Sequence, residues 1–259
     1  MIVLKLGGSV VTEKDRDETV DGAALDRAAS AVATARASGA VDDLVVVHGG
    51  GSFGHPHAET WGASTTDGVH DVDGVTAIHG AMTTLNRFVL RALQDADVPA
   101  VPVHPFSAAH RDRDGALSLP SGQVGTLLDE GFVPVLHGDL VAHAGEGATV
   151  LSGDEIVTSL AASLDADRVG VCSTVPGVLD ADDGVVDEIR RFDDVADVLG
   201  GSAATDVSGG MAGKVRELLA LGAPASVFDL DALPAFLDGD QPGTTVHGDG
   251  SGTAVDGGH

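Results

Sequence analysis

The sequence predicts an α/β fold, with a mainly parallel central sheet covered by helices on both faces and divided into two lobes. Short apolar runs of strand length alternate with longer amphipathic, alanine-rich segments from one end of the chain to the other. Parallel strands need a helical crossover between them, so this alternation favours a parallel sheet. With 259 residues, of which 43% are hydrophobic, the chain can bury a substantial core.

We expect the buried strands at residues 2–6, 44–47, 98–103, 133–136, 168–172 and 225–228. We expect the helices at residues 22–38, 74–94, 123–130, 154–164 and 211–221. The Asp-Arg-Asp-Gly segment at 112–115 predicts a hairpin tip, because Asp-Gly supplies the positive φ that tight turns need.

The charge of the chain excludes several classes of partner. Forty acidic residues face fourteen basic ones, for a formal net charge of −26. Such a chain is not expected to bind nucleic acid or an anionic membrane. The acids are spread along the chain, so the surface repels itself unless salt screens it, which indicates a salt-rich compartment. A single cysteine, Cys172, and the lack of an apolar run of about 18 residues favour a cytoplasmic location.

Lysine is scarce, and its placement is informative. The chain has eleven arginines but only three lysines, Lys5, Lys14 and Lys214. All three lie in or beside glycine-rich turns, where a compact cation could meet a phosphate. The alternative is that they are ordinary surface residues.

Three glycine-rich turns are suited to binding anions, because glycine lets backbone N–H groups approach a phosphate closely. They are the Lys-Leu-Gly-Gly-Ser turn at 5–9, the His-Gly-Gly-Gly-Ser-Phe-Gly-His turn at 48–55 and the Ser-Gly-Gly-Met-Ala-Gly-Lys turn at 208–214. The second turn spells the G-x-G-x-x-G dinucleotide fingerprint, which should open a helix. Because His-Pro-His and a polar stretch follow it, we expect no such helix and disfavour a dinucleotide site. The third turn is not a P-loop, because Ser208 replaces the first glycine and Val215 follows the lysine.

Four motifs in order carry a family resemblance. Lys5-x-Gly-Gly-Ser, the glycine turn at His48, Ser-Gly-Asp at 152–154 and Gly-Gly-Met-x-x-Lys at 209–214 resemble the amino-acid kinase superfamily. Ser-Phe-Gly-His-Pro at 52–56, together with Lys14, is most similar to the isopentenyl phosphate kinase family within it. The resemblance runs from residue 1 to about Val246. His55 is its more specific mark of a phosphate-accepting member.

The resemblance implies the site residues. The implied catalytic residues are Lys5, Lys14, Asp154 and Lys214. The implied contacts to the nucleotide are Lys5, Gly7, Gly8, Ser9, Gly51, Ser173, Gly209 and Lys214. The implied contacts to the acceptor phosphate are Gly50, His55 and Gly153. Lys5 and Lys214 would neutralise the phosphoryl groups, and Asp154 would orient both lysines. The ordinary explanation of Asp154 is a helix N-cap, and both roles can hold together.

The acceptor's isoprenoid tail would lie against the helix expected at 74–94. His79, Met82, Thr83 and Asn86 share one stripe of that helix by spacing. Core packing or a dimer face would explain the same stripe. His57 has no assigned role.

One stretch departs from the superfamily pattern. Its members commonly carry a Thr-Asp-Val-Asp-Gly-Val turn on the nucleotide side, and residues 173–178 of this chain read Ser-Thr-Val-Pro-Gly-Val. Both acids are absent, which affects the contacts to ribose or adenine rather than the phosphate chemistry.

The resemblance further implies ATP as the phosphate donor, Mg²⁺ with it, isopentenyl phosphate as the small-molecule partner, and a homodimer. Residues 1–247 would form one kinase domain, with an acceptor-binding lobe at 1–165, a nucleotide-binding lobe at 166–247 and a loose glycine-rich tail at 248–259. We find no metal-ligand cluster in the sequence. The alternatives are a kinase for another small phosphate or phosphonate, a carboxylate-accepting kinase, and a non-catalytic nucleotide- or anion-binding protein on the same fold.

Overall fold

The computed structural model describes residues 1–199 and 210–248. Its strands are β1 (Ile2–Leu6), β2 (Leu44–His48), β3 (Ala100–Pro102), β4 (His110–Arg111), β5 (Leu117–Ser118), β6 (Val133–His137), β7 (Asp139–His143), β8 (Gly147–Leu151), β9 (Arg168–Ser173), β10 (Glu188–Ile189), β11 (Ala225–Asp229) and β12 (Thr244–Val246). Its helices are α1 (Gly8–Val11), α2 (Gly22–Ala37), α3 (Gly51–Thr60), α4 (Val72–Asp95), α5 (Gly122–Asp129), α6 (Gly153–Ser163), α7 (Ala196–Leu199), α8 (Gly210–Leu219) and α9 (Leu233–Leu237).

The main sheet confirms the predicted fold class. Over the described residues it has eight strands in the order β10-β12-β11-β9-β1-β2-β6-β3, and every pair except β11–β12 is parallel. Strands form at all six predicted positions. β1 lies at the centre, where Lys5 pairs with Val47 of β2 and with Val171 of β9.

The alternating side chains of β1 belong to two separate cores, one on each face of the sheet. Leu4 packs into the core that α2, α4 and α9 cover. Val3 packs into the opposite core, beneath α6 and α8. Because side chains two residues apart share a face, Lys5 lies on the same face as Val3. The strand therefore directs its lysine toward α6 and α8.

A second, four-stranded sheet was not predicted as a whole. Its order is β5-β4-β7-β8, and the β4–β5 and β7–β8 pairs are antiparallel. The predicted hairpin tip is confirmed between β4 and β5, where Gly115 has a φ of 84° and the Asp112 N–H donates to the carbonyl of Ala116.

Helix α3 corrects the prediction that no helix opens after the second glycine turn. Pro56 lies inside this helix and has no N–H to donate to the carbonyl of Ser52, four residues earlier. That carbonyl instead accepts a hydrogen bond from the backbone N–H of Glu18, at 3.0 Å. The helix persists because a loop from elsewhere in the chain supplies the missing donor.

The two predicted lobes share the main sheet. Strands β1, β2, β3 and β6 precede residue 165 in the chain, and β9 to β12 follow it. Their functional division therefore remains a proposal. Ser208, Gly209 and the tail beyond Gly248 lie outside the described residues. Within residues 1–199 and 210–248, no helix combines the length and apolar character of a membrane span.

Candidate active site

One cleft of about 260 Å³ lies at the carboxyl ends of β1, β2 and β9 and brings together most of the predicted site residues. The predicted residues that line it are Lys5, Gly7, Gly8, Ser9, Lys14, Gly50, His55, Gly153, Asp154, Ser173 and Lys214. All three lysines of the chain are in this set. The carboxyl edge of a parallel sheet is where α/β proteins commonly bind ligands.

Asp154 bridges two of the lysines. Its Oδ1 lies 2.6 Å from Nζ of Lys5, and its Oδ2 lies 3.9 Å from Nζ of Lys214. Lys5 comes from β1, Asp154 from the first turn of α6 and Lys214 from α8, so three separate elements meet here. The side chains of Lys5 and Asp154 are buried, and that of Lys214 is 17% exposed. The carboxylate thus holds two ammonium groups at the inner wall of the cleft.

The charges of this group depend on one another. Burial acts to raise the pKa of Asp154, but the charges of Lys5 and Lys214 outweigh it and hold that pKa below its ordinary value. Burial lowers the pKa of Lys5, Asp154 opposes this change and Lys214 adds to it. Asp154 is therefore the anion that opposes the lowering of the Lys5 pKa by burial.

Asp154 is not a helix N-cap, which corrects that alternative. Ser152 caps α6 by accepting the Glu155 N–H at 3.1 Å, and the Glu155 side chain accepts the Ser152 N–H at 2.9 Å. This capping box satisfies the end of the helix and leaves both oxygens of Asp154 for the lysines.

The first two glycine turns pack backbone against backbone. A Cβ on Gly8 would lie 2.2 Å from the Gly51 nitrogen, and a Cβ on Gly49 would lie 2.7 Å from the Gly8 nitrogen. Gly51 has a φ of 48° and does not line the cleft, since it lies against Thr12 and Gly8. This close contact explains why residue 51 is a glycine. Gly7, Gly8 and Gly50, in contrast, line the cleft.

The other end of the cleft combines His55 with an apolar wall. His55 is exposed on α3, and Gly50 lies at the start of that helix. Ala58, Ile78 and Met82 line the cleft beside them and are otherwise buried. A phosphate with a short hydrocarbon tail matches this arrangement, because one end of the cleft is polar and its wall is apolar.

The predicted stripe on α4 is largely wrong about the cleft. Met82 lines it, but His79, Thr83 and Asn86 do not, and Ile78 takes part instead. Asn86 is fully buried, with its Oδ1 placed 3.2 Å from Nε2 of His48. Burial lowers the pKa of His48 to about 4, so this histidine is neutral, and it does not line the cleft.

Sequence reasoning missed the pairing of His79 with Asp139. Asp139 lines the cleft, and Nδ1 of His79 donates to its Oδ2 at 2.8 Å. The hydrogen bond from His79 to Asp139 raises the pKa of His79, and burial raises the pKa of Asp139. No spacing in the sequence links these two residues, which are sixty positions apart.

Glu217 on α8 is a further missed residue. Its side chain lies against α6, where the hydroxyl of Thr158 donates to it at 3.5 Å. Burial raises its pKa to about 7, and the charges of Glu155 and Asp154 add to this effect. Glu217 follows Lys214 by three residues, so helical spacing could have placed it on the same side of α8.

The nucleotide side is only partly described. Ser173 and Thr174 line the cleft at the end of β9, and Gly209 lies outside the described residues. Within the described ranges, no group of three or more His, Cys, Asp or Glu side chains could hold a metal ion.

Comparison with known proteins agrees with this geometry. The sequence profile of the Amino acid kinase family matches residues 1–223. Isopentenyl phosphate kinase of Haloferax volcanii is 61% identical over 249 residues, covering 96% of this chain and 99% of that protein. Isopentenyl phosphate kinase of Methanothermobacter thermautotrophicus is 36% identical over 85% of this chain and 86% of its own. A crystal structure of isopentenyl phosphate kinase superposes with a TM-score of 0.81 at 30% identity, over 95% of this chain and 99% of that one. The chain belongs to the amino acid kinase family and, within it, to the isopentenyl phosphate kinases.

Proposed function

We propose that the protein transfers the γ-phosphoryl group of ATP to isopentenyl phosphate, forming isopentenyl diphosphate and ADP. The observation that carries this proposal is the composition of the cleft at the carboxyl ends of β1, β2 and β9. All three lysines of the chain lie in it, together with His55, a glycine turn and an apolar wall. The membership in the isopentenyl phosphate kinases supports the choice of acceptor.

The phosphate end of the cleft supplies charge for the transferring group. Lys5 meets that group from β1, Lys214 meets the β- and γ-phosphates from α8, and Lys14 covers them from its loop. Asp154 holds Lys5 and Lys214 in place through its two oxygens. Phosphoryl transfer depends chiefly on alignment and charge stabilisation, which fixed ammonium groups provide.

The acceptor needs no general base. The second pKa of a phosphate monoester is about 6, so the acceptor is largely a dianion at neutral pH. One of its terminal oxygens forms a bond to the γ-phosphorus while the bond from that phosphorus to the β,γ-bridging oxygen breaks, and ADP leaves with that electron pair. His55, Gly50 and Gly153 bind the acceptor phosphate by donating hydrogen bonds, and no proton is removed.

The apolar wall selects the tail. Ala58, Ile78 and Met82 contact the hydrocarbon part of the acceptor, for which a carboxylate-bearing amino acid would be a poor substitute. This feature favours an isoprenoid phosphate over the acceptors of other kinases on this fold.

The setting of the reaction is also part of the proposal. Mg²⁺ accompanies ATP. The lobe of residues 1–165 binds the acceptor and the lobe of residues 166–247 binds the nucleotide, whose phosphates also meet Lys5 and Lys14 of the first lobe. The enzyme works as a homodimer in a salt-rich cytoplasm. The net charge of −26 with only three lysines supports the salt-rich setting.

A nucleotide-turnover assay tests the function. ADP release is measured with MgATP alone, then with isopentenyl phosphate, then with other small phosphates and phosphonates. We expect acceptor-dependent ADP release that is fastest with isopentenyl phosphate. Preference for another phosphate would assign a different kinase of this family, and ATP binding without turnover under any acceptor would assign a binding protein.

A further inference from the structure

The loop that carries Lys14 is docked on the helix that carries His55. This Lys14 loop, residues 12–20, is closed at its base by a bridge between Thr12 and Val20 and by the Glu13 N–H donating to the Thr19 carbonyl at 2.9 Å. Its outer part extends over the cleft and includes Lys14.

Hydrogen bonds to Ser52 fasten the loop to the start of α3. The Glu18 N–H donates to the Ser52 carbonyl at 3.0 Å, which is the carbonyl that Pro56 leaves without a helical donor. The Ser52 N–H in turn donates to the Thr12 hydroxyl at 3.0 Å. The docked loop therefore supplies the hydrogen bond that the proline removes from the helix.

A side-chain pair adds a contact farther out. Nε2 of His57 lies 2.7 Å from Oε1 of Glu18. Because a carboxylate only accepts hydrogen bonds, His57 is the donor through Nε2. Glu18 has a φ of 47°, in the left-handed region that residues other than glycine rarely adopt. Such a conformation persists where surrounding contacts hold it, and here it directs the Glu18 side chain toward α3.

The Lys14 loop is acidic, so a hydrogen-bond donor to Glu18 is a favourable contact for it. Residues 13–18 carry four acids and two bases, on a protein that is already strongly acidic. Acids this close repel one another and the rest of the surface, so the outer loop has few favourable partners besides the Arg16–Glu13 pair at 3.2 Å. His57 offers Glu18 a donor on a rigid helix, two residues from His55.

We propose that Glu18 and His57 form a latch that positions Lys14 relative to His55, so that the nucleotide phosphates and the acceptor phosphate are held by one unit. His57 is a positioning residue that acts through Glu18 and does not touch either substrate. The inference rests on the proposed function, because Lys14 and His55 have their roles only in phosphoryl transfer.

A double-mutant cycle tests the latch through activity. His57→Ala breaks the pair, and His57→Gln keeps an N–H donor at a position close to Nε2. Arg16→Ala is the matched control, because it removes an exposed ion pair of the same loop that does not reach α3. We expect His57→Ala to lower kcat/KM for ATP by about two- to fivefold, the range for a partly exposed pair. His57→Gln should recover most of this loss, and Arg16→Ala should change kcat/KM for ATP by less than about twofold.

The same substitutions in a Lys14→Ala background separate positioning from general damage. If His57 acts through Lys14, His57→Ala should cause little further loss once Lys14 is gone. An equal loss in both backgrounds, or no loss in either, would overturn the latch.

Amide hydrogen exchange tests the latch without any activity. The amides of residues 13–19 should exchange faster in His57→Ala than in the native protein and in Arg16→Ala, which leaves the latch intact. Unchanged exchange would refute the latch even if the enzyme is active. If isopentenyl phosphate is not phosphorylated but exchange rises as expected, the proposed function fails while the latch stands as a feature of the loop.

Discussion

Replacing Asp154 by asparagine tests the central feature of the site, a buried carboxylate between two ammonium groups. The side chain keeps its shape and loses its charge, so Lys5, at 2.6 Å, and Lys214, at 3.9 Å, are left facing each other without this counterion. Removing one partner of a buried ion pair costs about 3–5 kcal/mol of folding free energy. For a chain of this size each kcal/mol lowers Tm by about 2–4 °C, so we expect a decrease of roughly 6–20 °C.

The control is Asp231→Asn, which makes the same chemical change in a pair with Arg27 whose side chains are 82% and 57% exposed. Exposed pairs contribute little, so its Tm should fall by less than about 4 °C. Both variants are melted at rising KCl. The decrease in Tm caused by Asp154→Asn should persist at every salt concentration, because salt does not screen a buried pair effectively.

Turnover gives the second readout for Asp154→Asn. We expect kcat to fall by about 10²-fold, as it does when a preorganised electrostatic group is lost. KM for ATP should change less than kcat, because the glycine turns proposed to contact the nucleotide phosphates are unchanged in this variant. A Tm as high as that of Asp231→Asn, or a raised KM for ATP with normal kcat, would refute the assignment of Asp154 as the residue that holds the two lysines.

Four further predictions concern the other charged groups. Lys5→Ala and Lys214→Ala should each lower kcat by about 10²-fold or more, and near-normal turnover of either folded variant would overturn its role. The native Tm should rise with KCl, because salt screens the acidic surface; a flat or falling Tm would argue against salt adaptation. His55→Gln keeps a donor and should retain more activity than His55→Ala, whose defect should lie largely in KM for the acceptor; equal losses confined to kcat would exclude the donor role. Burial raises the pKa of Glu217 to about 7, so its ionisation destabilises the fold as pH rises through that value. Glu217→Gln should therefore raise Tm more at about pH 8 than at about pH 5, and an equal gain at both would contradict this.

Local sequence pattern determined six of the twelve strands among the described residues. Short apolar runs bounded by turns placed a strand at each of the six positions, and β1 matched its predicted bounds of 2–6. Buried parallel strands read as continuous apolar runs, which few other structures produce. The same reasoning failed at α3, because Pro56 is a helix breaker when judged locally and the Glu18 N–H that compensates for it comes from 38 residues upstream.

The candidate site shows the same difference between local pattern and distant contacts. The sequence by itself determined which residue types could bind phosphate, because the glycine turns, the few lysines and the order of the four motifs can be identified without a structure. Only the tertiary structure decided what they face: Lys5 and Lys214 meet at Asp154, Gly51 supports Gly8 and not the cleft, and His57 reaches Glu18. The physical reason is that backbone propensity and periodicity act over a few residues. Charge pairing, burial and close backbone approach depend on which distant segments the sheet brings side by side.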